Sequence, residues 1–162
     1  MKLRILVLLI CVLLSTNVLA KKSKTLKIPA GSNIPTLGMA VDASYDPQTD
    51  GIIPGYRILS VAITNNSIDI FQMDRDRDNW VVNDLKGKKH QAIMDLKKDD
   101  PEFYIALPAK LRKLIEYPTI IQVGETAVLD LLFKDSVRLE GFRSVKFLNP
   151  ITKTSFEIMA QD

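Results

Sequence analysis

The sequence predicts an all-β domain in which two sheets pack as a sandwich of about eight strands joined by one short helical crossover. Three observations predict it. Short apolar alternations recur along the chain, with turn signals roughly every ten residues. One alternation, Tyr56 to Ile63, is apolar on both faces apart from Arg57 and Ser60, which suits a strand inside the packing and not at its edge. Helical spacing is confined to one stretch, Pro101 to Glu116.

Taken in order, the chain opens on Met1-Lys-Leu-Arg4, a short positive region, followed by an unbroken apolar run from Ile5 to Leu14. Val18-Leu19-Ala20 ends in the small residue a signal peptidase needs, so residues 1–20 are expected to be a signal peptide cleaved after Ala20. The competing reading is an uncleaved membrane anchor. Ser15-Thr16-Asn17 interrupts the apolar core, whereas a spanning helix needs about 20 apolar residues. Lys21, Lys22, Lys24 and Lys27 just beyond favour the anchor, because positive charge there resists translocation. Cys11, the single cysteine, would be the lipidated residue of a lipoprotein, but Leu9-Ile10 is not the small-residue approach expected. With the signal removed the chain has no cysteine, hence no disulfide, although it is sent where one could form. That combination points to a bacterial periplasmic or secreted protein.

Residues 21–36 read as a flexible basic leader with a short strand at Thr25 to Ile28, and 37–162 as the folded domain. Leu37 to Tyr45 forms a first full strand, and Asp46 to Gly51 a loop. Asn65-Asn66-Ser67 closes the central strand with a turn, since Asn tolerates left-handed backbone angles. Ile68 to Met73 alternates as a third strand that makes a hairpin with the central one. Asp74 to Asp78 is a charged connection. Asn79 to Asn83 carries Trp80 and Val82 on one face, Asp84-Leu-Lys-Gly87 turns, and His90 to Leu96 alternates again. Asp99-Asp100-Pro101 is a helix start; Pro108 interrupts the helical stretch and Pro118 ends it. Thr119 to Val123, Ala127 to Lys134, Gly141 to Leu148 and Ser155 to Met159 complete the strands.

The whole chain carries +3, but loss of Lys2 and Arg4 leaves 20 basic against 19 acidic residues, a net of +1. Nothing in that balance calls for nucleic acid or an anionic membrane. About 142 residues make one domain, large enough to bury a core without staples.

The run Gly55 to Ser67, the turn at Asp84 to Gly87, and Val123-Gly-Glu-Thr126 before Leu129-Asp-Leu-Leu-Phe133 together resemble the telokin-like, immunoglobulin-fold domains of bacterial secreted proteins and lipoproteins. The resemblance covers Leu37 to Met159 and implies an immunoglobulin-like β-sandwich. It departs at Pro101 to Pro118, where the family has a shorter connection. The family's function is mostly unknown, so it lends no functional residues.

Candidate sites are few. Asp74, Asp76 and Asp78 have the spacing that opens a calcium loop, but the sixth and twelfth positions hold Asn79 and Leu85 where Gly and Glu are needed, and Arg75 and Arg77 offset the charge. A solvated turn fits better. His90, the only histidine, could join Met94 in a soft-metal site of a periplasmic copper carrier; one His with scattered methionines is thin for that. A hydrolase would need His90 beside an acid and a hydroxyl, yet no serine lies in a Gly-x-Ser-x-Gly setting. Lys110, Arg112 and Lys113 could contact an anionic partner or simply form the wet face of a short helix. Trp80 is expected in the core. The reading that follows is a non-catalytic exported domain, needing no cofactor, that binds another protein or envelope component; membrane enters only if the N-terminal segment is uncleaved.

Overall fold

The computed structural model describes residues 24–27 and 38–160, so the expected signal peptide, its expected cleavage point at Ala20 and Cys11 lie outside the described residues. The first sheet is built from β1 (Lys24–Lys27), β2 (Met39–Tyr45), β3 (Tyr56–Asn65) and, after a long excursion, β8 (Thr126–Lys134). The chain leaves it through β4 (Phe71–Gln72), β5 (Asn79–Asp84) and β6 (Lys89–Gln91). Helices α1 (Leu96–Asp99), α2 (Pro101–Ala106) and α3 (Ala109–Leu114) follow, then β7 (Ile120–Ile121), with β9 (Phe142–Asn149) and β10 (Thr154–Met159) closing the chain. The strands form two four-stranded sheets, ordered β1-β2-β3-β8 and β10-β9-β5-β6, and a two-stranded sheet β4-β7. Every pairing is antiparallel.

The period-2 pattern of β3 explains its position. Leu59, Val61 and Ile63 point to one side, where they join Leu129, Leu131 and Phe133 of β8, Trp80 and Val82 of β5, Val145 and Phe147 of β9, and Phe156 and Ile158 of β10 in one core. Both large sheets thus bury their inner faces together. On the other side of the same sheet, Tyr56, Ile58 and Leu132 form a second, smaller core with Ile53, Leu96 and Leu107 beneath the helices. The strand is apolar on both faces because it is covered twice near its start. Toward its end the outer face turns to Ser60, Ala62 and Thr64, all half-buried.

The helical cover breaks where the prolines dictate. Asp100 caps α2 by accepting from the Phe103 amide at 3.1 Å, with Pro101 in the first turn. Pro108 offers no amide to continue that helix, so α3 starts anew after it.

Three elements differ from the sequence reading. Ile68 to Met73 is no full strand and makes no hairpin with β3, whose partners are β2 and β8. Only Phe71 and Gln72 pair, with Ile121 and Ile120, and Ile68 stands 94% exposed. His90 to Leu96 divides into the end of β6, an isolated bridge from Ile93 to Leu132, and α1, capped by Asp95. Of Thr119 to Val123, only Ile120–Ile121 is strand. These stretches cross from one sheet to the other, and backbone demand at the crossing overrides alternation.

Candidate functional site

The Asn65-Asn66-Ser67 turn starts the site. Asn65, last in β3, has no solvent exposure. Its side-chain amide donates to the carbonyls of Asp69 (2.8 Å) and Ile121 (3.0 Å), and its Oδ1 accepts from the Ser67 amide (3.0 Å) and hydroxyl (2.7 Å). Its main chain closes on the β7–β8 connection: the Asn65 amide donates to the Glu125 carbonyl and the Gly124 amide donates to the Asn65 carbonyl. One side chain therefore sets the 66–70 segment beside the 121–125 segment. Gly38 packs against the same turn. Its backbone is left-handed, with φ 64°, and a Cβ there would lie 2.7 Å from Ser67 Cα, so no larger residue fits without moving the turn.

Four branched aliphatics stand in water on or next to these two segments: Ile68, Ile70, Ile120 and Val123. A fifth, Ile151, is 53% exposed in the turn between β9 and β10. Ile120 and Ile151 line one cleft of about 200 Å³ with Gln72, Met73, Asp74, Arg77, Thr119, Asn149 and Thr152. The two-stranded sheet supplies one wall because Phe71 and Ile121 pack inward on the core while their neighbours face out.

Beneath the cleft lies a buried polar relay. The Trp80 Nε1 donates to the Tyr117 hydroxyl (3.0 Å), which donates to Asp78 Oδ2 (2.7 Å). The same oxygen accepts from the Asp74 amide, and Asp78 Oδ1 accepts from Asn149 Nδ2 at 2.6 Å. Asn149 in turn accepts the Ile151 and Thr152 amides through its Oδ1, so the Ile151 turn is tied to Asp78. Tyr117 is pushed well above the ordinary phenol range by burial.

Asp78 is itself 4% exposed, and burial holds its carboxyl above the ordinary carboxylate range against the opposing effect of its Tyr117, Asp74 and Asn149 donors. A carboxyl with a raised folded pKa costs stability when ionised. That cost is absent below the unfolded value, 3.8, and grows as pH rises through the folded one. The stability gap between wild type and Asp78→Asn, which stays neutral, is therefore expected to narrow from acid toward neutral pH. Denaturant midpoints of the two proteins across that range check it, and a gap that widens with pH would contradict the assignment.

The sequence candidates fall elsewhere or are already engaged. Asp74, Asp76 and Asp78 are used separately: Asp74 meets Arg77 Nε at 3.4 Å, Asp76 pairs with Lys98, and Asp78 belongs to the relay. His90 Nε2 sits 3.2 Å from Asp84 Oδ2, a bond that holds the Asp84 carboxyl below its usual range. Met94 instead packs on the main core and lines a void of about 20 Å³, room for a single water, with Ile93, Leu96 and Tyr117. His90 thus has an acid partner, and no hydroxyl is bonded to it among the described residues. No group of three or more His, Cys, Asp or Glu among the described residues is placed to hold a metal ion. Lys110 and Lys113 are exposed on α3, and Arg112 lies over the Tyr104 ring at 5.9 Å. No helix among the described residues is long and apolar enough to cross a membrane.

Sequence reasoning placed Trp80 in the core and Asn65 in a turn, but it missed the cleft. The exposed aliphatics read as strand alternation, and only partners such as Asp78 and Asn149, 71 residues apart, bring its walls together. No family model matches the chain, and no curated protein or solved structure matches it either.

Proposed function

We propose that this chain is an exported immunoglobulin-like β-sandwich that performs no catalysis and works by holding another protein at its aliphatic loop end. The strand order supports the fold reading: β2-β3-β8 opposite β10-β9-β5-β6 follows the A-B-E and G-F-C-C′ arrangement, with Trp80 on the strand equivalent to C. The expected signal peptide supports export.

The observation that carries the function is the set of five exposed aliphatics, Ile68, Ile70, Ile120, Val123 and Ile151, fixed in place by buried polar bonds. A contiguous apolar surface is the ordinary signature of a protein contact, and Ile120 and Ile151 meet in one cleft. The cleft, about 200 Å³, is smaller than the roughly 300–1,000 Å³ of small-molecule sites. It suits one or two apolar side chains from a macromolecule.

A photo-crosslinking residue at position 151, activated in the native envelope, is expected to trap one protein, and Ile120→Asp in the same chain should abolish that product. Both positions are exposed, so neither change threatens folding. A crosslink that survives Ile120→Asp, or none at all, would overturn the reading.

A further inference from the structure

The corner between α2 and α3 combines features that the loop end lacks. From Ile105 to Ala109 no side chain can form a hydrogen bond, and all but Leu107 are exposed, Ile105 to 72%. Lys110, Arg112 and Lys113 follow within one turn and a half. No acidic residue occurs between Phe103 and Ile115, and no ion pair engages the three cations among the described residues. Lys110 and Leu114 are four apart and share a helix face, and Leu114 is also exposed. The corner is firmly based. Leu107 is buried, while Phe103 and Leu111 pack beside it on the second core, and Phe103 lies 5.6 Å from the Tyr56 ring.

We propose that this corner seats the protein on an anionic lipid surface, with Ile105 and its apolar neighbours entering the interface and Lys110, Arg112 and Lys113 meeting lipid phosphates. Charge complementarity identifies the occupant: Lys110, Arg112 and Lys113, none in an ion pair among the described residues, lie between Glu102 and Glu116 beside the apolar tip. An acidic protein would satisfy the cations but would have to supply a matching apolar socket for the tip. A bilayer accepts apolar side chains without shape complementarity and carries negative charge at its surface.

The test is partition of the chain, purified after export, onto vesicles containing phosphatidylglycerol and onto vesicles of phosphatidylcholine alone. Binding is expected to favour the anionic vesicles and to weaken as salt is raised. Replacing Lys110 and Lys113 together by alanine should lower the anionic partition coefficient about 30-fold, which corresponds to about 1 kcal/mol per lysine at the surface. Ile105→Ser should weaken binding to anionic vesicles while leaving its salt dependence intact. Any contribution from the N-terminal segment is common to wild type and variants and cancels in the comparison. Equal partition onto neutral vesicles, or a double variant that binds as the wild type does, would overturn the proposal; so would failure to bind anionic vesicles at low salt.

Discussion

Trp80→Ala is expected to destabilise the domain by about 3–5 kcal/mol, the usual cost of emptying a large buried aromatic site. Trp80 is fully buried, 4.7 Å from the Phe147 ring and 5.8 Å from Phe156, so its removal leaves both rings facing a void. It also takes the Nε1 donor from Tyr117. Against a typical total of about 5–15 kcal/mol, that loss is a large share. Trp80→Phe separates the two contributions. It keeps most of the ring packing and leaves the Tyr117–Asp78 bond in place, so about 1–2 kcal/mol should be lost. Urea unfolding followed by circular dichroism measures both, since Trp80 is the only tryptophan and fluorescence is lost with it. If phenylalanine costs as much as alanine, the polar relay and not the packing governs the site.

Asn65→Ala is expected to cost about 2–4 kcal/mol, because a carbonyl and an amide lose their side-chain partner at once and each unsatisfied group is expensive. The groups are the Ile121 carbonyl and the Ser67 amide, while the Asp69 carbonyl keeps the Ser67 hydroxyl as a donor. Asn65→Asp is the sharper variant. It retains an acceptor for Ser67 but presents an oxygen to two carbonyl oxygens, so it should be no more stable than alanine. Because the same bonds align the 66–70 and 121–125 segments, both variants should also expose the loop end to faster amide exchange. An aspartate variant as stable as wild type would show that Asn65 only terminates a strand.

The sheets were legible from the sequence where one face of a strand meets the core. Leu129, Leu131 and Phe133 alternate with Val128 and Asp130, and the structure buries the first set while Val128 faces water. Tyr56 and Ile58 announced a strand covered on both sides, and the helices provide the second cover. Alternation misled at Ile68 to Met73, where the same period reports aliphatics left in solvent. Periodicity records spacing along the chain and is silent on what lies opposite. The cleft escaped notice for that reason: its walls depend on bonds such as Asn65 to Ile121 and Asp78 to Asn149, between polar residues whose side chains look like ordinary turn formers.

The turn that closes β3 also reads, letter for letter, as an acceptor site for an N-linked sugar: Asn65, any residue but proline, then Ser67. A glycan would replace one of the two amide hydrogens, and the folded protein uses both. Folding and glycosylation at Asn65 would therefore exclude one another wherever the chain met the glycosylating machinery. In a host that glycosylates the chains it exports, a molecule of this chain modified before β3 meets β8 would be barred from the native turn. A host without that machinery delivers every chain with its amide free to fold.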